Sequence, residues 1–165
     1  MRKKILFSLS IIFIFVILIC PPGYSADKPV RMAYLQNDIH HLAFWVALEN
    51  GYFDQENVPV EVSGIFKAGP EIMSAFAAKG LDMAYVGEAP FTTAVANKAA
   101  DVQVVAQVNT EGSALVVGKD SSINSISDLA GKTVAVPGHS TVQDFLLRKA
   151  LNQNGLEHGE VNVIV

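Results

Sequence analysis

Cysteine is nearly absent from this sequence, since Cys20 is the only one among 165 residues. A single thiol cannot close an intramolecular disulfide or supply a thiolate metal site, which needs several cysteines. Basic residues are also scarce: 12 Lys and Arg stand against 16 Asp and Glu, and after the first few residues nothing clusters them. Nucleic-acid binding requires a basic patch. The composition therefore excludes a disulfide scaffold and predicts no nucleic-acid partner.

Motifs of several enzyme classes are absent as well. The sequence has no Gly-x-Gly-x-x-Gly after its first predicted strand, no Walker-type phosphate loop and no Gly-x-Ser-x-Gly elbow. The adjacent His40 and His41 diverge on a helix and lack a third ligand at a suitable spacing. Glu88 and Glu111 could form only a loose pair of carboxylates. We therefore expect no catalytic residue, no metal site and no cofactor.

The N-terminus has the pattern of a secretory signal. Three basic residues at positions 2–4 precede an apolar run from Ile5 to Cys20, and small residues follow before Ala26. This pattern predicts a signal peptide over residues 1–25 and an exported protein, either periplasmic or attached to the cell surface. Without the three cations, nine basic residues face 16 acidic ones, which gives a net charge of about −7.

Cys20 has two interpretations. It could carry a lipid at a lipoprotein cleavage site, and the alternative is that it is removed with the signal. Ile19 is bulkier than the residue that such sites prefer before the cysteine, which disfavours lipidation. The apolar run is also short for a membrane span of about 20 residues. We therefore expect contact with a membrane only through an anchor at Cys20.

Strand and helix patterns alternate along the rest of the chain, which predicts an α/β domain with a mostly parallel sheet. The predicted strands are Val30–Leu35, Val58–Val62, Leu81–Val86, Val102–Val108, Ala114–Val117, Thr133–Val136 and Val161–Val165. Gly51 ends the first helix, and Pro70 and Pro90 suit the starts of two others. The last helix begins at a capping box formed by Ser140 and Gln143.

The loops that follow the predicted strands are where a ligand is expected, because ligands of open α/β sheets bind beyond the carboxyl ends of the strands. Two of them, Gly87–Pro90 and Gly138–Val142, lead directly into a helix. The first N–H groups of a helix lack partners and favour a small anionic or polar group. Each turn alone could be an ordinary βα connection. Together they predict two helix starts that face a shared gap.

Six motifs are spread along the chain: His41–Phe53, Gly69–Glu71, Gly80–Asp82, Val86–Pro90, Ile126–Lys132 and Val136–Leu147. In their order and spacing they resemble the nitrate/sulfonate/taurine (SsuA/THI5-like) family of ABC-transporter substrate-binding proteins. The resemblance covers residues 30–165. It implies a bilobal, periplasmic-binding-protein-like fold of type II with the ligand between the lobes. It also implies a monomeric receptor whose partners are a small solute, a membrane permease and an ATPase.

Members of that family are much longer than this chain, so the resemblance implies a truncated form. We expect most of the first lobe over residues 26–117 and only the start of the second lobe over residues 118–165. One wall of the cleft would then be missing. We therefore expect this chain alone to bind its ligand poorly.

The residues expected to contact the ligand lie in the loops after the strands. They are Gln36, His40, Gly87, Glu88, Ala89, Asn109, Glu111, Gly138, His139, Ser140, Thr141 and Val142. Among them Glu88 and Glu111 are acidic, and Lys67 and His139 are the basic groups expected nearby. This balance favours a zwitterion such as an amino-sulfonate, with its acidic group on the amides of residues 140–142. Phe44, Trp45 or Tyr85 could cover an apolar part.

Two other functions remain open at this stage. One is a sensory module that reports a ligand to a membrane kinase. The other is a protein that binds or makes a pyrimidine precursor of thiamine, since the fold family includes a thiamine-precursor synthase. That enzyme relies on a cysteine-rich motif, and this chain lacks one.

Overall fold

The computed structural model describes residues 28–165 and contains two parallel sheets. The first sheet has the order β2-β1-β3, and its strands are β1 (Val30–Leu35), β2 (Val60–Phe66) and β3 (Met83–Ala84). The second sheet pairs β4 (Thr133–Ala135) with β5 (Asn162–Ile164). All of these strands pair in parallel, so the predicted fold class is confirmed. The predicted signal peptide and Cys20 lie outside the described residues.

Within residues 28–165, five helices accompany the strands. They are α1 (Leu42–Glu49), α2 (Tyr52–Gln55), α3 (Gly69–Ala77), α4 (Glu88–Ala96) and α5 (Val142–Gln153). Short 3-10 turns occupy Ile39–His41, Ile126–Leu129 and His158–Glu160. The described helices are all too short or too polar to cross a membrane.

Each sheet has a hydrophobic core of its own. In the first, Ala33 and Ile72 are fully buried together with Leu81, and a neighbouring cluster is built from Met73, Ala94 and Ala100. In the second, Leu129 and Leu151 are almost completely buried among residues of β4, α5 and Val161. Helix α3 therefore covers the first sheet and helix α5 the second.

The strands predicted over Val102–Val108 and Ala114–Val117 are wrong, because neither segment forms a strand in the structure. Both are rich in β-branched residues, yet the side chains of Val104, Val105 and Val116 are 64%, 71% and 84% exposed. A strand needs a hydrogen-bonding partner, and composition alone does not provide one. Within residues 28–165 no ladder pairs with either segment.

The capping box predicted for Ser140 and Gln143 at the start of the last helix is wrong. Thr141 is the N-cap, and its Oγ1 accepts a hydrogen bond from the N–H of Asp144 at 3.3 Å. Ser140 instead has φ +60°, a left-handed conformation that few residues other than glycine adopt. The helix therefore begins at Val142, and Ser140 belongs to the turn before it.

Candidate functional site

The turns that precede α4 and α5 lie in direct contact. A β-carbon placed on Gly87 would lie 2.5 Å from Cγ2 of Val142, so only glycine allows this approach. Gly69 likewise lets α3 approach Pro90, whose Cγ would be 2.5 Å from an added β-carbon. Each of these turns follows the carboxyl end of a parallel strand. The two helix starts selected from the sequence are therefore neighbours.

The loop over residues 109–113 contacts both the turn after β1 and the start of α5. A β-carbon on Gly112 would meet Nε2 of His40 at 2.5 Å, so this loop lies against the histidine. One residue further, Oγ of Ser113 accepts a hydrogen bond from Nε2 of Gln143 at 3.2 Å. Glu111 and Gly112 both have positive φ, which turns the chain sharply here.

These contacts bring the loops of the site together around one region. His40 contacts Gly112, Ser113 is bonded to Gln143, and Val142 contacts Gly87. Tyr85, two residues before Gly87, has its ring 5.2 Å from that of His41, the neighbour of His40. The loops after β1, β3 and β4 therefore meet on one side of the molecule, together with the loop over residues 109–113.

The predicted contact residues differ in how accessible they are. Gln36, Glu88, Asn109, Glu111, His139 and Ser140 are exposed, whereas Gly87, Ala89, Val142 and His40 are half-buried. Gly138 and Thr141 are buried, and the Thr141 hydroxyl donates to the Gly138 carbonyl at 2.7 Å. That hydroxyl therefore holds the turn together. His40 is engaged with Asp38, whose Oδ1 lies 2.7 Å from its Nδ1.

Several backbone donors at the two helix starts are unpaired. The N–H groups of Glu88, Ala89, Val142 and Gln143 have no acceptor within residues 28–165. The N–H of Ser140 is different, because it donates to Oδ2 of Asp144 at 2.9 Å. The positive ends of both helices thus face the same region with free donors, which suits a small polar or anionic group.

His41 is a candidate residue that the sequence analysis missed. Its side chain is 4% exposed and packs among Tyr34, Trp45 and Tyr85. Nε2 accepts a hydrogen bond from the N–H of Leu35 at 3.2 Å, so the proton of the neutral ring sits on Nδ1. Nδ1 has no partner in the described part of the chain. A buried donor without an acceptor is costly, by about 1–3 kcal/mol.

The environment of His41 also determines its charge. Burial lowers the pKa of His41 below its usual value; Asp38 opposes this shift and His40 adds to it. The neutral ring is therefore the form that the folded protein contains near pH 7. Within residues 28–165 there is no group of three or more His, Cys, Asp or Glu side chains that could hold a metal ion.

The lowered pKa of His41 predicts that the protein loses stability as the pH falls. The unfolded chain takes up a proton at the usual pKa of about 6.5, whereas the folded chain resists protonation until a lower pH. The free energy of unfolding should therefore decrease from about pH 7.5 to pH 5.5. Chemical denaturation at both pH values measures this decrease.

Two variants assign the pH effect to one residue. His41→Gln should reduce the difference in unfolding free energy between the two pH values, whereas His139→Gln, at an exposed position, should keep it. An unchanged pH dependence in His41→Gln would show that other groups cause the effect.

Comparison with known proteins gives a consistent result. A family model described as NMT1/THI5 like matches residues 38–165. A Haemophilus influenzae protein named for thiamine biosynthesis is 28% identical over 153 residues, which are 92% of this chain and 48% of that protein. The chain thus spans about half the length of this relative.

Two solved structures share the fold. One is the periplasmic aliphatic sulphonate-binding protein SsuA from Escherichia coli, with a TM-score of 0.58 and 19% identity. The other is the alkanesulfonate-binding protein SsuA from Xanthomonas axonopodis pv. citri bound to MOPS, with a TM-score of 0.60 and 20% identity. Each match covers 82% of this chain and 46% of the other. The prediction of an incomplete periplasmic-binding-protein fold is confirmed.

Proposed function

Because this chain belongs to the NMT1/THI5-like family, we propose that it is an extracytoplasmic solute-binding protein of an ABC importer. The observation that carries the proposal is the convergence of two helix starts. Gly87 and Val142 touch, and the unpaired N–H groups of residues 88, 89, 142 and 143 lie on either side of them. Such donors bind a small polar group without any catalytic side chain. The protein would bind its solute and release it unchanged, without catalysing a reaction.

The proposed cycle follows from the two sheets and their separate cores. A solute bound beside the contact of Gly87 with Val142 would touch the turns of both sheets, so it would favour the closed arrangement. Only a ligand that binds one conformation better can shift the population towards it. The closed monomer would then dock on a permease that an ATPase drives. A location outside the cytoplasm is part of this proposal.

The proposed ligand is a small sulfonate, nitrate or amino-sulfonate. The two structures that share the fold are named for sulfonate binding. In this chain Glu88 and Glu111 are exposed carboxylates on the loops of the site. An ammonium group on the ligand would be attracted by them, which favours an amino-sulfonate such as taurine.

A second candidate is capture of a pyrimidine related to thiamine. The observation that favours it is the cluster of Tyr34, Trp45 and Tyr85 around the unpaired Nδ1–H of His41. Aromatic side chains stack on a flat ring. The buried Nδ1–H of His41 would reach a ring nitrogen only if the surrounding aromatic side chains moved apart. The name of the Haemophilus influenzae relative agrees with this candidate.

Calorimetric titration of the chain tests both candidates. The probes are ethanesulfonate, taurine, nitrate and 4-amino-2-methylpyrimidine. Saturable binding of a sulfonate or nitrate supports the first candidate, and binding of the pyrimidine alone supports the second. Because the sequence predicts weak binding by this chain, the titrations extend to millimolar probe concentrations, and absence of binding by all four probes there would contradict the proposal.

Gly87→Ala should weaken the binding of the probe that binds best by about tenfold, because the added methyl group meets Val142 and separates the two turns. This corresponds to about 1.4 kcal/mol, within the usual cost of overpacking. Gly118→Ala is the matched control, since an added β-carbon there has no atom within 4 Å. Equal affinities of the two variants would place the ligand away from these turns.

A further inference from the structure

Residues 102–108 form an exposed segment whose backbone lacks a partner. The segment leaves the first core at Val102, which packs beside Ala94 and Ala100, and the residues that follow are exposed. Neither a helix, a turn nor a bend interrupts it, and its φ angles are all negative. Its N–H and C=O groups have no backbone partner within residues 28–165. The segment is therefore a strand that lacks only a neighbour.

The composition of this segment favours pairing with another polypeptide. It is rich in valine, contains no proline and carries no charge, which is typical of strands that pair edge to edge. Val104, Val105 and Val108 are 64%, 71% and 53% exposed. Side chains of this type pack well against those of a neighbouring strand. A partner strand would cover all three.

The sequence of the segment reads nearly the same in both directions around Val105. Two antiparallel copies with Val105 opposite Val105 therefore place similar or compatible side chains opposite each other. The pairs are Val102 with Val108, Gln103 with Gln107, Val104 with Ala106 and Asp101 with Asn109. Such opposite pairs are what stabilises a sheet, and amide side chains can both donate and accept hydrogen bonds. The segment is thus complementary to a second copy of itself.

Charge also favours a second copy at this place. The chain is acidic, with 16 Asp and Glu against 12 Lys and Arg, so two copies repel each other over most of their surfaces. Residues 102–110 carry no charge. In the pairing around Val105, each Asp101 faces the neutral amide of Asn109, which can donate to the carboxylate. No two carboxylates are placed in direct opposition.

We propose that residues 102–108 of two copies pair as antiparallel strands about a two-fold axis at Val105 and form a reversible dimer. A two-fold interface uses the same surface of both subunits and closes after two copies. One pair of short strands is a small interface compared with the roughly 1,200–2,000 Å² of stable complexes, so the dimer should be weak. It exchanges with the monomer that would dock on a permease, and its formation does not depend on the ligand.

Sedimentation equilibrium from micromolar to millimolar chain concentration tests the association. The average mass should rise towards that of a dimer and no further. A chain that stays monomeric overturns the proposal and favours another occupant of the segment, such as strands from the half of the family fold that this chain does not match. Growth beyond a dimer also overturns it, because an open-ended pairing lacks the two-fold axis.

Val105→Lys distinguishes this interface from other contacts between copies. In the proposed register the two lysines lie opposite each other, where like charges destabilise a sheet, so dimerisation should weaken about tenfold. Val116→Lys is the matched control, since Val116 is 84% exposed in the other valine-rich segment and the variant gains the same charge. It should dimerise like the unaltered chain. Equal effects of the two variants overturn the proposal.

A mixture of two variants tests the register. Val105→Glu alone should dimerise as weakly as Val105→Lys, whereas the two variants mixed should form a heterodimer, since opposite charges then lie across the axis. A mixture that associates no better than either variant alone overturns the pairing of Val105 with Val105.

Hydrogen exchange of the unaltered chain locates the interface. Exchange over residues 102–108 should be slower at high than at low chain concentration, because pairing gives these N–H groups acceptors. Exchange over residues 114–117 should not depend on concentration. Protection of residues 114–117 without protection of residues 102–108 overturns the proposal.

Discussion

Phe44→Ala should lower the free energy of unfolding by about 3–5 kcal/mol, the usual cost of removing a fully buried aromatic ring. Phe44 is 1% exposed, and its ring lies 5.6–5.7 Å from those of Tyr34, Phe53 and Tyr85. A cavity at this position would remove one aromatic contact from each of these three neighbours. Because small domains are stable by only about 5–15 kcal/mol, the variant should be close to unfolding.

Urea denaturation of the two proteins measures this loss, and Tyr52→Ala provides the control. Tyr52 is an aromatic residue in the neighbouring helix α2 but is 49% exposed, so its removal should cost about 1 kcal/mol or less. Similar losses in the two variants would contradict the assignment of Phe44 to the core.

Removal of the Phe44 ring should also weaken the binding of a probe at the proposed site. Tyr34 and Tyr85 contact both Phe44 and His41, so the cluster supports the turn that contains His40. Phe44→Leu refills most of the cavity and should recover much of the stability. If the probe affinity also recovers in Phe44→Leu, the cluster acts on the site through packing.

Elements with strong local signals could be predicted from the sequence. Strand β1 was predicted with the bounds that the structure has, because its apolar run is flanked by polar residues. The end of α1 could be predicted from Gly51, which has φ +66°. Pro70 indicated the start of α3, where it occupies the first turn. In each case the residues that decide the conformation lie within a few positions of the element.

The segments over residues 102–108 and 114–117 could not be predicted in this way. Their composition favours strands, but a strand forms only where another backbone offers its N–H and C=O groups. That partner is distant in sequence, and no local pattern reveals whether it is present. The N-cap prediction is wrong for a related reason. Ser140 and Thr141 are both good caps, and the hydrogen bond from the Ser140 N–H to Asp144 keeps Ser140 in the turn before the helix.

The two helix starts of the candidate site could be predicted from the sequence, whereas their contact could not. Gly87 follows β3 of the first sheet and Val142 follows β4 of the second, so their approach depends on how the two sheets pack and not on the topology of either one. The choice between His40 and His41 depends on packing. Adjacent residues point about 100° apart on a helix, and only the tertiary structure decides which one is buried.

Leu151→Ala and Ile72→Ala should each lower the free energy of unfolding by about 2–5 kcal/mol, and each should act on a different sheet. Both side chains have no exposed surface, but Leu151 belongs to the core beside β4 and Ile72 to the core beside β1. Hydrogen exchange measured by mass spectrometry locates the loss. Leu151→Ala should accelerate exchange in β4 and α5 and leave β1 and β2 protected, and Ile72→Ala should do the reverse.

The pair of variants tests a requirement of the proposed mechanism. Lobes that close on a solute must move as separate bodies, so neither core can depend on the other for its packing. The core clusters beside the two sheets share no residue, although their loops meet at Gly87 and Val142. If either variant accelerates exchange equally in both sheets, the chain unfolds as a single cooperative unit. Closure of one part against the other would then lack its structural basis.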